Sequence, residues 1–215
     1  MCFHYSLTQQ AAAIAKTLQV QWNDTVWQPV PHANGFSFRA MPVLTQENLK
    51  QVQLFNWGLI PHWVKTKADA DKLKAQTLNA RCETIFEKPS FRNSITKKRC
   101  LIPADGFFEW MDVNGKKHPY RIRVGEDQLF FFGGIYAEWA DPATGELISS
   151  FSIMTTEANA LMEKIHNIKK RMPVIISPER YTEWLDARLS KDQIMDFFTP
   201  FPDEKMNAEA IEKLF

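Results

Sequence analysis

The second residue of this chain is a cysteine, and its position gives it unusual chemical potential. If Met1 is trimmed, Cys2 presents an α-amine and a thiol on adjacent carbons. Their ordinary pKa values, about 8 and about 8.5, leave both with nucleophilic forms near neutrality. An aldehyde meeting such a pair forms an imine with the amine. The thiol then closes onto the imine carbon in a five-membered thiazolidine, with the high effective molarity of an intramolecular step. Three further segments carry groups suited to assist. Asn79, in Leu78-Asn79-Ala80-Arg81-Cys82-Glu83-Thr84, has an amide that can orient an amine or a sugar oxygen, and Arg81 can fork onto a phosphate. Glu109 lies among Phe107, Phe108 and Trp110, where desolvation raises a carboxyl pKa toward the range useful for proton transfer. His166 titrates near neutrality and is followed by Lys169, Lys170 and Arg171. Trp57 and Trp63 flank the bend Gly58-Leu59-Ile60-Pro61-His62; exposed, they would stack on unpaired bases, and buried, they would be core.

The elements that must hold these residues are mostly strands. Aromatic and branched runs over 36–60, 98–110, 120–124, 129–136, 148–155 and 172–176 read as strands, with Asn114-Gly115 and Thr144-Gly145 as turns. Helices are expected over 10–18, where Ser6 and Gln9 suggest a capping box, and over 68–76, 157–165, 178–185 and 192–198. The first of these would place the N-terminus at a helix entry. Many short strands with few helices imply an α+β fold, with a mainly antiparallel, barrel-like β core and peripheral helices.

Bulk properties exclude several classes. The chain has 215 residues, 45% hydrophobic and 24% charged, enough for one domain with a substantial core. No apolar run is long enough to span a bilayer, and the start lacks a signal-peptide layout, so a cytoplasmic protein without a membrane partner is expected. Three cysteines, Cys2, Cys82 and Cys100, make no disulfide framework. A zinc site from these and His4 lacks paired-ligand spacing, so neither metal nor cofactor is expected. Net charge is only +1, but residues 1–178 carry +5 and the remainder −4. The basic stretches are Lys88 to Arg99 and Lys164 to Arg171, and Lys88 joins the candidate phosphate contacts. The acidic tail from Asp203 reads as a solvated terminal helix.

Taken in order, these segments resemble the SRAP family (SOS response-associated peptidases, or abasic-site processing proteins). The resemblance rests on Met1-Cys2, Trp57 to Trp63, Asn79 to Thr84, Lys88-Pro89-Ser90-Phe91-Arg92, Arg99 to Trp110, and His166 with Arg171-Met172-Pro173-Val174-Ile175. It covers residues 1 to about 185 and leaves a tail of about 186–215. It implies a sensor that crosslinks to abasic sites in single-stranded DNA through a Cys2 thiazolidine after Met1 removal, shielding the strand from cleavage. The resemblance further implies a monomer, associated with the nucleoid when bound, with peptidase- and lyase-like chemistry but no ordinary turnover. By the same resemblance Cys2 is the nucleophile and Asn79 positions the amine and the opened sugar. Glu109 assists ring opening and imine formation, His166 is the acid–base group, and Arg81 and Arg171 hold flanking phosphates. The sequence departs from the family in two places. Phe3-His4 replaces the usual Gly-Arg, and extra residues separate His166 from Arg171. Two other readings stay open: a thiol-dependent peptidase built on Cys2, His166 and Asn79, and a non-covalent reader of modified single-stranded DNA.

Overall fold

The computed structural model describes residues 2–22, 27–125 and 129–212; Met1, whose removal the sequence reading requires, lies outside them. The first half of the chain forms β1 (His4–Leu7), α1 (Ala11–Leu18), β2 (Val30–Asn34), β3 (Ala40–Thr45), β4 (Gln53–Trp57), α2 (Lys67–Lys74), β5 (Asn79–Arg81), α3 (Arg92–Lys97) and β6 (Arg99–Ala104). The long strands follow: β7 (Gly106–Val113), β8 (Lys116–Val124), β9 (Phe130–Ala140) and β10 (Leu147–Glu157). Then come α4 (Ala160–Ile165), β11 (Arg171–Pro173), β12 (Ile175–Ile176), α5 (Tyr181–Trp184), α6 (Lys191–Met195) and β13 (Met206–Ala210).

Five strands close into a barrel in the order β4-β3-β6-β9-β10, and β10 returns to β4. Only that closing pair is parallel, with Ser150 opposite Asn56 and Phe151 opposite Trp57. The central strands are covered on both sides, so β9 begins as an unbroken buried run from Phe130 to Ala137. A second sheet has the order β13-β8-β7-β1-β2. Its hairpin β7–β8 turns at Asn114-Gly115, both with positive φ (53° and 82°), which matches the twist of the flanking strands. The α+β, mainly antiparallel and barrel-centred architecture is therefore present, with the helices at its periphery.

Three local expectations are corrected. Ser6 does not cap a helix: it lies in β1, and α1 begins after Gln10 without a side-chain cap. The N-terminus accordingly enters a strand. The continuous run expected over 98–110 breaks at Asp105 into β6 of the barrel and β7 of the second sheet. Asp105 fixes that corner by accepting from Ser6 Oγ (2.6 Å), Thr8 Oγ1 (2.6 Å) and the Thr8 amide. A Cβ on Gly106 would lie 2.9 Å from Arg121 Nε and 3.0 Å from Ser6 Oγ, so those side chains would have to shift to admit one. Finally, the acidic tail is not a helix: after a short turn at Asp203–Lys205, β13 pairs with β8, placing Glu209 opposite Arg121.

Candidate functional site

The two sheets meet at a seam, and the chemistry-bearing residues reach it from both sides. From the second sheet, β1 runs antiparallel to β7 with Tyr5 opposite Phe107. That pairing carries the chain's start toward the Glu109 end of β7. Phe107 and Glu109 are two apart on one strand and share a face, and Phe107 is core, so Glu109 points inward and is 4% exposed. From the barrel side, β5 and β11 both pair with β10: Asn79 lies opposite Ile153, and Arg171 opposite Glu157. His166 terminates α4, just before β11.

These placements bring the four expected catalytic residues together. Asn79 Nδ2 donates to the Cys2 carbonyl at 2.9 Å, a backbone contact that does not involve Met1. Cys2 is buried, and its Sγ approaches the His4 carbonyl at 3.7 Å. Burial pushes the Cys2 thiol well above its ordinary pKa, and the nearby Glu109 carboxyl adds to the shift. Glu109 Oε2 stands 3.8 Å from His166 Nε2, too far for a direct hydrogen bond. Burial pushes the Glu109 carboxyl up to about 7 and the His166 imidazole down to about 4. Near neutrality, then, the pair is an acid that readily holds or releases a proton facing an uncharged base. His166 Nδ1 lies 2.9 Å from the Arg171 carbonyl and 3.2 Å from its amide. Both contacts lie on the Nδ1 side of the ring and leave Nε2 on the side of Glu109.

The expected DNA-facing residues divide. Arg81 and Lys88 are exposed. Trp63 is 46% exposed, and its Nε1 donates at 3.2 Å to the carbonyl of Pro89, the residue after Lys88. Trp57 does not face solvent. It is 1% exposed, stacks on Phe151 and donates from Nε1 to the Leu78 carbonyl at 2.9 Å. As a stacking platform it is corrected: the ring is core, and its hydrogen bond steadies the residue before Asn79. Arg171 is also committed internally. Its guanidinium forks onto the Glu83 carboxylate (Nη2 to Oε2 3.0 Å), and Nη2 donates to the Thr155 carbonyl (2.6 Å). In this arrangement it is a brace at 7% exposure, with no free fork for a phosphate. Glu83, though quoted in the Asn79 to Thr84 motif, had no assigned role; only an acid two residues from Arg81 hinted at one. Among the described residues, no three His, Cys, Asp or Glu side chains gather as a metal site requires.

Comparison with known proteins finds a family whose model matches nearly the whole chain. A family model described as SOS response associated peptidase (SRAP) matches residues 1–214. The abasic site processing protein YoqW of Bacillus subtilis (strain 168) is 41% identical over 160 residues, covering 74% of this chain and 68% of YoqW. The abasic site processing protein HMCES of Xenopus tropicalis is 33% identical over 149 residues, covering 60% of this chain and 43% of HMCES. A crystal structure of a Bacteroides thetaiotaomicron protein superimposes with a TM-score of 0.95 at 42% identity, covering 98% of this chain and 92% of that one. A Bordetella bronchiseptica protein superimposes with a TM-score of 0.84 at 25% identity, covering 99% of this chain and all of that one.

Proposed function

Because the chain belongs to the SRAP family, we propose that it captures abasic sites in single-stranded DNA by a covalent bond to Cys2. An abasic site opens to an aldehyde, which is prone to strand-breaking elimination. After Met1 is removed, the Cys2 amine attacks C1′; a C–N bond forms and water leaves, giving an imine. The thiol then adds its sulfur to C1′, and its proton ends on nitrogen. One water is lost and no oxidant is needed. The thiazolidine contains no aldehyde, so the strand is shielded.

The observation that carries this reading is the convergence of Glu109 and His166 on a Cys2 held by Asn79. Glu109 in its acid form gives a proton to the sugar ring oxygen as the ring opens. Neutral His166 receives or returns a proton across the same gap. Asn79 keeps residue 2 in register for attack. A cysteine peptidase would instead need a thiolate stabilised beside a cation, whereas burial here raises the Cys2 pKa. Trp63 and Lys88 offer an indole for an unpaired base and a cation for a phosphate. An oligonucleotide with one abasic site tests the proposal. The wild-type protein is expected to give a denaturant-resistant adduct and Cys2→Ala none; an equal adduct from Cys2→Ala would sink it.

A further inference from the structure

Glu109 belongs to the second sheet, while His166 hangs from the barrel side, so their separation depends on whatever ties the two across the seam. One residue beyond His166, Asn167 does so directly. Its Nδ2 donates to the Asp112 carbonyl at 2.8 Å, and its Oδ1 accepts from the Asp112 amide at 3.1 Å. This two-way exchange is what a residue of a neighbouring strand would make with β7. Asp112 lies three residues past Glu109 on the same strand and is itself held: Oδ1 accepts from the Gly115 amide at 2.9 Å, and Oδ2 pairs with Lys117 Nζ at 2.9 Å. The loop closes at its other end as well. The Lys170 amide donates to the His166 carbonyl at 2.8 Å, with Lys170 in the left-handed region (φ 48°).

We infer that Asn167 is a positioning residue: by clamping β7 at Asp112 it sets the distance between His166 and Glu109. The inference rests on the proposed function and adds a residue to it. Asn167 touches no reacting atom and is exposed, so its loss should leave the fold intact. The competing idea is that the clamp merely holds the loop down.

Two variants and two readouts separate these. Asn167→Ala is expected to lower the single-turnover crosslinking rate at saturating abasic DNA about tenfold, a partial share of the roughly 100-fold that a full 1 Å misplacement can cost. Affinity for DNA carrying an unreactive tetrahydrofuran in place of the abasic site should stay within about twofold, and Tm should be unchanged. Ile168→Ala alters the exposed next residue and should change neither rate nor affinity. Independently of DNA, NMR titration should show the His166 midpoint in Asn167→Ala rising from about 4 toward the ordinary imidazole range. A wild-type rate in Asn167→Ala, an equal loss in Ile168→Ala, or an unmoved His166 midpoint would overturn the inference. No adduct from the wild-type protein would overturn the proposed function, and the His166 titration would still decide whether Asn167 positions the ring.

Discussion

Two carboxylate–base pairs sit near this seam, and they behave oppositely. Glu83 and Arg171 join by a fork, and the arginine is further held by Thr155. Although burial pushes the other way, the Arg171 hydrogen bond keeps the Glu83 carboxyl below its usual range. That proton is gone at any physiological pH, and the pair is a fixed brace. Glu109 and His166 are separated by 3.8 Å, and burial moves the carboxyl up and the imidazole down, so both favour their uncharged forms. A glutamate thus makes a structural tie where it meets a permanently charged arginine in a fork, and a site for moving protons where it faces a histidine and burial outweighs contact.

Breaking the mobile pair should have the largest effect. Glu109→Gln keeps the shape and removes the acid, and a drop of about 100-fold in crosslinking rate is expected in single-turnover kinetics. The wild-type rate should also decline as pH rises through about 7, where Glu109 loses its proton, and that decline should vanish in Glu109→Gln.

Breaking the brace should show in stability first. Glu83→Ala leaves the Arg171 cation buried with only Thr155, at a cost of about 2 kcal/mol by denaturant unfolding; the partial exposure of Glu83 keeps this below the figure for a fully buried pair. The crosslinking rate should fall much less than in Glu109→Gln. A Glu83→Ala protein of wild-type stability would erase the contrast between the pairs.

The pH dependence of stability sharpens the contrast further. A raised carboxyl pKa means that the folded state binds the extra proton between about 4.5 and 7. Glu109 therefore contributes most below 4.5 and progressively less up to 7, with no further loss above. The upper bound is on the order of 3 kcal/mol for a shift of this size. His166, with a lowered pKa, costs stability only as pH falls from 6.5 to 4. Unfolding of Glu109→Gln against wild type across pH 4 to 8 should show the variant gaining relative stability up to 7. A difference flat with pH would contradict the burial argument.

The smallest effects should lie at the exposed edge. Trp63→Ala should weaken binding of single-stranded DNA by about 1 kcal/mol or more, and Lys88→Ala should lower the salt dependence of binding by about one counterion. Neither should alter the crosslinking rate at saturating DNA.

Much of this was legible in the sequence, for physical reasons. Alternating and aromatic runs marked most strands, and Asn114-Gly115 marked its hairpin, because turn chemistry and side-chain period are local. A raised carboxyl pKa at Glu109 was expected from the aromatic residues around it in sequence, and burial on the Phe107 face supplies it. What escaped notice depends on distance. Nothing in the run from Cys100 to Trp110 announces the corner at Asp105, because its partners Ser6 and Thr8 lie about a hundred residues away in sequence. Arg171 read as a free cation because its partner Glu83 is 88 residues distant. Trp57 and Trp63 look alike in one short motif, and both indoles donate to a distant carbonyl; the burial of the first against Phe151 tells them apart. The final strand was hidden by polar, solvent-facing residues at an acidic end, where the signal is composition and the cause is an open edge on β8.

The central claim concerns a single bond. Protein crosslinked to an abasic oligonucleotide should be digested and its DNA-linked peptide weighed. The expected peptide begins at Cys2 without Met1, carries the sugar remnant less one water, resists borohydride reduction and has no free thiol to alkylate. A linked peptide that begins at Met1, maps to a lysine, or is reduced by borohydride as an open imine is, would contradict the account.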